Sequence, residues 1–300
     1  MINKLPTGFI YWVKEYLYGR TQSVKLSNSC SSHLPVISGI PQGSLIGPYL
    51  FNLVVGSLRP MYQSTTIIKY IDDCTFVIPI SNSCDTKILQ EHDNMLHWSA
   101  MNSLSLNDAK CKLMWIPRRK DCTLPVFPPI PLVTELKILG VHFTSDLKWN
   151  RHFEFVNTVA SRRLYALRIL KPLLDHQTLV HVYKGLILSI IEYCSPLFVG
   201  MSAQNASILE KIQRRAHVII CGESRCCQCI SFPNLEERRK IASIKLLLKI
   251  CNFPSHPLHE LCPKKSLRSK KFIQPQSVTS RRRNSFFPLT TALANGTCII

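Results

Sequence analysis

A chain of 300 residues with 46% apolar side chains has room for two compact domains and material for their cores, which excludes wholesale disorder. Its 37 Lys and Arg against 18 Asp and Glu leave a net charge of +19, which points to a polyanionic partner, nucleic acid before a membrane surface. Thirteen cysteines in a long chain with no sign of a secretory leader read as reduced thiols of an intracellular protein, not as a disulfide framework.

In chain order, residues 6–18 read as a helix, with Ile10, Val13 and Leu17 on one side and Tyr11, Trp12 and Tyr16 adding aromatic bulk. Residues 24–26 suit a short strand. Residues 38–48 hold three glycines and two prolines and read as a loop or helix entry, followed by a buried helix over 49–58. Two apolar runs, 66–71 and 74–80, read as strands that meet at Asp72 and Asp73. Residues 87–101 are amphipathic and helical. Strands are expected over 111–116 and 137–143, with a linker of four prolines over 123–133 between them.

Past residue 150 the period changes to that of helices. Phe153, Val156, Ala160, Leu164 and Leu167 form one stripe of a helix over 153–170. Further helices are expected over 177–193, 207–220 and 234–250, the last two opened by the capping-box pairs Ser207/Glu210 and Asn234/Glu237. The longest apolar stretch, 185–200, contains Glu192 and Pro196 and is too short to span a bilayer. From Phe253 on, prolines, serines and basic residues dominate, and residues 261–300 carry eight Lys and Arg and no acid.

Two motifs carry chemistry. Neighbouring strand residues point to opposite faces, so Asp72 and Asp73 can share a site only where a tight turn breaks the pleat. Mg²⁺ takes hard oxygen ligands and keeps part of its water shell, so one or two carboxylates plus phosphate oxygens suffice for an ion. An Asp-Asp pair is equally an ordinary polar β-turn. The second motif runs Gly39-Ile40-Pro41-Gln42-Gly43-Ser44-Leu45-Ile46-Gly47-Pro48 and continues Tyr49-Leu50-Phe51. Its glycines allow backbone to approach a phosphate or base, and Gln42 offers an amide to a base edge or sugar. A purely structural loop is the competing reading.

Together, Gly-Ile-Pro-Gln-Gly-Ser-x-x-Gly-Pro-x-Leu-Phe and, about twenty residues later, Tyr70-Ile71-Asp72-Asp73 resemble the reverse transcriptases of non-long-terminal-repeat (LINE-type) retrotransposons. The resemblance extends to the segment from Trp12 to Val24, to Trp98-Ser99 and Leu106-Asn107-Asp108-Ala109-Lys110, and to Leu139-Gly140-Val141 with the segment 147–152. It reaches Ile191-Glu192-Tyr193-Cys194-Ser195, the segment 209–216, and Arg282-Arg283 with Ser285-Phe286-Phe287-Pro288.

The resemblance implies an α+β chain: a partial right-hand polymerase palm, then an α-helical thumb, then a basic C-terminal tail. The corresponding divisions are 1–118, 119–150 for a linker and primer-side hairpin, 151–251, and 252–300. It implies RNA-directed DNA synthesis with Mg²⁺ or Mn²⁺, an RNA template, a DNA primer and deoxynucleoside triphosphates. Asp72 would be a main metal ligand and Asp73 its less direct neighbour. Tyr70 would pack beside the incoming nucleotide or primer end. Pro41, Gln42 and Gly43 would lie against template and nucleotide, and Lys110 would serve the leaving pyrophosphate. Leu139, Gly140 and Val141 would hold the primer strand.

In such enzymes a first catalytic aspartate precedes the Trp12 segment, whereas only Glu15 is acidic before Ile71 here. The expectation is therefore a truncated fragment with little polymerase activity of its own. A non-catalytic RNA- or DNA-binding protein and a retrotransposon relic are the alternatives. Two features stand apart. His217, Cys221, Cys226, Cys227 and Cys229 are zinc-compatible by residue type, but their spacing fits no common finger, so free thiols compete with a metal site. Lys264, Lys265, Arg268, Lys270, Lys271, Arg281, Arg282 and Arg283 suit phosphate contacts, with Phe272, Phe286 and Phe287 available to stack on bases. These basic runs are also compatible with nuclear import, so a nuclear or cytoplasmic protein is expected, with no membrane anchor.

Overall fold

A computed structural model describes residues 5–81, 85–117, 127–222 and 234–296. The chain divides into two compact units, Met1–Cys111 with Arg119–Pro131, and Lys112–Arg118 with Leu132–Ile300. Among the described residues, short antiparallel hairpins and three helices make up the first, and the second is mostly helical.

In the first unit, α1 (Thr7–Leu17) follows Pro6 and buries no residue. Its rings stack along one side instead, Phe9 on Trp12 at 5.9 Å and Trp12 on Tyr16 at 5.6 Å. Two nested pairs follow: β1 (Thr21–Gln22) pairs with β4 (Leu34–Pro35), enclosing β2 (Lys25–Leu26) and β3 (Ser29–Cys30). The expected strand at 24–26 is therefore one arm of a hairpin whose partners are all exposed and show no alternation. Next come α2 (Gly47–Val55), β5 (Thr66–Tyr70), β6 (Asp73–Val77) and α3 (Lys87–Met101). The buried side chains here are few and mixed in kind, Val55 and Leu58 beside Thr65, Glu91 and Ser99.

In the second unit, β7 (Glu135–Ile138) and β8 (Val141–Thr144) form a hairpin where one strand over 137–143 was expected. Leu139 at φ +47° and Gly140 at φ +85° make the two-residue turn that reverses the chain. The expected strand at 111–116 is reduced to a single parallel bridge between Leu113 and Leu132.

Helix α4 (Asn150–Leu170) buries Phe153, Val156, Ala160, Leu164 and Leu167, the stripe expected from the period, and adds His152. This face packs on α7 (Ala203–Cys221), which supplies Leu209, Ile212 and Ala216 to the same core. The helix expected over 177–193 is interrupted: α5 (His176–Tyr183) passes into a π-helical turn, Lys184–Leu188, and a last short stretch α6 (Ser189–Ile191). A 3-10 turn, Ser195–Phe198, follows.

The side chain capping α7 is Ser202, accepting from Asn205 N at 3.3 Å, so the helix begins before the Ser207/Glu210 pair. Asn234 does cap α8 (Leu235–Asn252), accepting from Glu236 N at 2.8 Å and Glu237 N at 3.3 Å. The segment past Phe253, whose composition reads as a basic tail, carries α9 (Ser280–Arg283) and α10 (Phe286–Gly296), and α10 packs on α8. Among the described residues no helix is long and apolar enough to cross a membrane.

His152 gives the second unit a pH response. It is buried against Phe198, the two rings stacked at 4.8 Å, and burial, reinforced by His142, pushes its pKa from 6.5 down to about 4. The folded state therefore keeps His152 neutral over a range where the unfolded chain protonates it. Stability is full above pH 6.5 and declines as pH falls toward 4, by roughly 2 kcal/mol from this group. Thermal midpoints measured from pH 7 to pH 4.5 should fall, and His152→Phe should flatten that decline. An equal decline in the variant would assign the effect to other groups.

Candidate active site

The first unit contains both chemical motifs. In the glycine-rich loop, Ser44 N donates to Pro41 O at 3.4 Å, and Gly43 sits at the third position of that turn with φ +78°. A type II turn needs positive φ there, which is the physical reason for glycine. Two side chains from the end of α1 and beyond hold the loop. The Arg20 guanidinium donates to Gly39 O at 2.6 Å and to Leu17 O at 3.0 Å, and Tyr16 OH donates to Ser44 Oγ at 2.6 Å. Gly47 is buried where the loop enters α2; a Cβ there would lie 3.0 Å from Ile40 Cδ1. Gln42 and Gly43 are exposed at the turn, and Pro41 is half-buried.

The Asp-Asp hairpin pairs Thr66 with Val77 through to Tyr70 with Asp73. Ile71 and Asp72 are thus the two loop residues, and Asp73 is the first residue of β6. Ile71 takes φ +55°. A β-branched residue is strained there by about 1–3 kcal/mol, a kind of strain that clusters at functional sites. Both carboxylates are exposed, and among the described residues neither accepts a hydrogen bond nor joins an ion pair. Their field reaches Cys74, whose thiol pKa is raised by burial first, with Asp73 and Asp72 adding and Lys69 opposing. Tyr70 is 58% exposed on the outward face of β5.

What fixes this hairpin is Lys69. Its ammonium donates to Val55 O at 2.8 Å and Leu58 O at 2.5 Å, closing the carbonyl end of α2, the helix that begins at the glycine-rich loop. Burial, then the charge of Arg59, lowers its pKa. One side chain thus ties the strand before the aspartates to the helix after the loop. Lys69→Met should cost about 2 kcal/mol, because two carbonyls lose a charged donor. Urea titration should show the loss, and amide exchange at 70–74 should accelerate. Unchanged exchange there would show that the hairpin is held by other contacts.

Lys110 is exposed in a turn capped by Asn107, whose Oδ1 accepts from Lys110 N at 3.2 Å; no hydrogen bond or ion pair joins it to Asp72 or Asp73. In the second unit, Leu139 and Gly140 form the tip of the β7–β8 hairpin while Val141 is buried in the core. Tyr193 OH donates to Leu139 O at 2.7 Å, and its ring lies 3.5 Å from where a Gly140 Cβ would stand.

Cys226, Cys227 and Cys229 lie outside the described residues. Of the rest of that cluster, His217 and Cys221 share α7, and Cys221 Sγ lies 3.5 Å from His176 Nε2. Among the described residues no group of three or more His, Cys, Asp or Glu is placed to hold a metal ion. Phe272, expected to be free for stacking, is buried, with its backbone N–H and C=O both bonded to the Asn295 amide at 2.9 and 2.8 Å. Arg281 is engaged, donating to Asp146 O at 3.0 Å. The clamping roles of Tyr16, Arg20, Lys69 and Tyr193 are not legible in the sequence, because no local period marks a side chain whose partner lies that far along the chain.

Residues 2–143 match the family described as reverse transcriptase (RNA-dependent DNA polymerase). The chain is 21% identical over 252 residues to the "Probable RNA-directed DNA polymerase from transposon X-element" of Drosophila melanogaster, covering 80% of this chain and 27% of that protein. It is 30% identical over 166 residues to the "RNA-directed DNA polymerase from mobile element jockey" of the same organism, covering 49% of this chain and 17% of the other. The jockey protein of Drosophila funebris is 22% identical, covering 92% of this chain and 32% of its own length. The chain thus spans a third or less of the length of these relatives. No solved structure matches it.

Proposed function

We propose, from the match of residues 2–143 to the reverse transcriptase family, that this chain supplies part of the catalytic apparatus for RNA-directed DNA synthesis. On this reading the first unit is a partial palm and the helices after Asn150 are the thumb. The observation that carries it is the Asp72–Asp73 turn: exposed, without a hydrogen-bond or ion-pair partner for either carboxylate among the described residues, strained at Ile71, and fastened through Lys69 to the helix that follows the Pro41-Gln42-Gly43 loop.

The donor set suits Mg²⁺ or Mn²⁺, which take hard carboxylate oxygens and complete their shell with water and phosphate. Asp72 at the turn and Asp73 beside it would hold the ion, which when bound supplies the positive charge that phosphoryl transfer relies on. The remaining roles fall to other groups of this chain. Tyr70 offers a ring to the nucleotide or primer end. Gln42 and the backbone at Gly43 and Pro41 approach template and nucleotide. Lys110 provides a proton or charge to the leaving pyrophosphate, and the Leu139–Gly140 tip with Val141 backs the primer strand. RNA template, DNA primer and deoxynucleoside triphosphates are the partners in this proposal.

Two carboxylates make a partial site. The 300-residue chain by itself is therefore expected to extend a primer poorly. Mn²⁺ titration should detect weak binding that Asp72→Asn removes, while Asp108→Asn leaves it intact. Any extension on an RNA template should drop by about 10²-fold or more in Asp72→Asn. Mn²⁺ binding indifferent to Asp72 would sink the site assignment. Robust extension that Asp72→Ala abolishes would overturn the expectation of low activity.

A second reading, binding of RNA or DNA without catalysis, is favoured by the net charge of +19 and by the exposed Arg282 and Arg283. It requires affinity that falls steeply with salt and is indifferent to Asp72→Ala combined with Asp73→Ala.

A further inference from the structure

Independently of the polymerase reading, we propose that Cys251 and Cys262 form a dithiol site that undergoes thiol–disulfide exchange with small-molecule disulfides of the glutathione class. Cys251 lies in the last turn of α8, and Cys262 directly follows the short 3-10 turn His259–Leu261. The chain between them folds back on the helix end through four backbone hydrogen bonds: His256 N to Phe253 O, His259 N to His256 O, Leu261 N to Leu258 O and Cys262 N to His259 O. His259 pins this strap, its Nδ1 lying 2.9 Å from Ile250 O, one of the carbonyls that a helix end leaves unsatisfied. The result is two sulfurs in contact at 2.7 Å. Both residues are half-buried, open enough for a small reagent. Cys30 and Cys74 are more exposed, and neither has a second sulfur beside it among the described residues.

The two thiols have different roles. Burial, then the hydrogen bond shared with Cys251, pushes the Cys262 pKa up to about 12, so Cys262 is the sulfur that holds its proton. Cys251 is then the attacking sulfur. Its thiolate displaces one half of glutathione disulfide, forming a mixed disulfide and releasing glutathione thiolate. Cys262 next attacks the Cys251 sulfur of that mixed disulfide; the Cys251–glutathione bond breaks, and the second glutathione leaves with the Cys262 proton. Two thiols are oxidised and one small-molecule disulfide is reduced to two thiols. The new bond closes the segment 251–262 and fastens the end of α8 to the start of the basic stretch containing Lys264, Lys265 and Arg268.

The test uses the full folded chain in glutathione buffers of increasing oxidation, quenched with acid, alkylated and peptide-mapped. A cross-link between Cys251 and Cys262 should form ahead of any other pairing among the thirteen cysteines and reverse in excess reduced glutathione. It should form at least tenfold faster in the folded chain than in urea, where only closeness in sequence remains. Cys262→Ser should accumulate glutathione on Cys251, and Cys251→Ser should leave Cys262 unmodified. Glutathione on Cys30 and Cys74 with no 251–262 cross-link would overturn the proposal. So would equal rates in folded and unfolded chains.

Discussion

Glu91→Ala should destabilise the first unit by about 3 kcal/mol, and Glu91→Gln by about half as much. Glu91 is 1% exposed on α3, and its two carboxylate oxygens accept from Met61 N and Tyr62 N, each at 3.0 Å. Among the described residues it joins no ion pair, so its function is to satisfy two backbone donors of the segment after α2. The same face of α3 sends Asn94 Nδ2 to Arg59 O at 2.9 Å and Trp98 Nε1 to Ser57 Oγ at 2.9 Å, and Gln90 meets Tyr62 OH. This polar seam fixes the approach to β5 and thus to the aspartate turn.

Alanine leaves the N–H groups of Met61 and Tyr62 without their acceptor and opens a cavity where the buried carboxylate stood. Glutamine keeps one acceptor oxygen and the volume. Urea unfolding followed by tryptophan fluorescence should rank wild type above glutamine above alanine. If alanine matches wild type, the seam carries no stability and segment 57–62 is held by other contacts.

How much of this was visible in the sequence depends on how far each signal reaches along the chain. The buried stripe of α4 repeats every three or four residues and could be read directly, as could the Asn234 cap beside its own N–H partners. The aspartate pair was visible because flanking apolar runs frame it. The period alone hid the β7–β8 turn, because Leu139 occupies a positive φ that favours Gly or Asn and the run looked like one strand; only the resemblance implied a hairpin there. The strands β1 to β4 are two residues long and exposed on both faces, too short to alternate. The clamps around the candidate site in the first unit are long-range, Tyr16 to Ser44 and Lys69 to Val55, and so are Tyr193 to Leu139 and Arg281 to Asp146 within the second unit. The basic C-terminal stretch hides its packing for a related reason. Its composition is polar, but Phe272, Thr290 and Thr291 are buried when α10 lies on α8.

The second large effect tests that docking. Gly200→Ala should release α9 and α10 from the helical unit at a cost of about 3 kcal/mol or more. A Cβ at Gly200 would stand 2.0 Å from Asn284 O and 2.9 Å from Asn284 C, with backbone on both sides of the clash. Gly200 does not have a positive φ, so the penalty is contact alone. Asn284 cannot retreat cheaply. Its N–H is bonded to Ser280 O at 3.0 Å, and the next residue's N–H to Arg282 O at 3.1 Å, so moving the carbonyl unwinds the end of α9. Once α9 shifts, α10 loses its seat against α8 and against the 3-10 turn Ser195–Phe198.

Amide exchange over 286–296 should rise to near the unfolded rate in Gly200→Ala while α4 and α7 stay protected, a local release rather than global unfolding. Gly185→Ala is the matched control. Nothing lies within 4 Å of a Cβ there, and the site is within the π-helical turn, so it should be neutral or stabilising by up to about 1 kcal/mol. If Gly200→Ala leaves α10 as protected as the control does, residues 200 and 284 are not in backbone contact in solution, and the C-terminal helices are held by their other contacts, with α8 and the turn Ser195–Phe198.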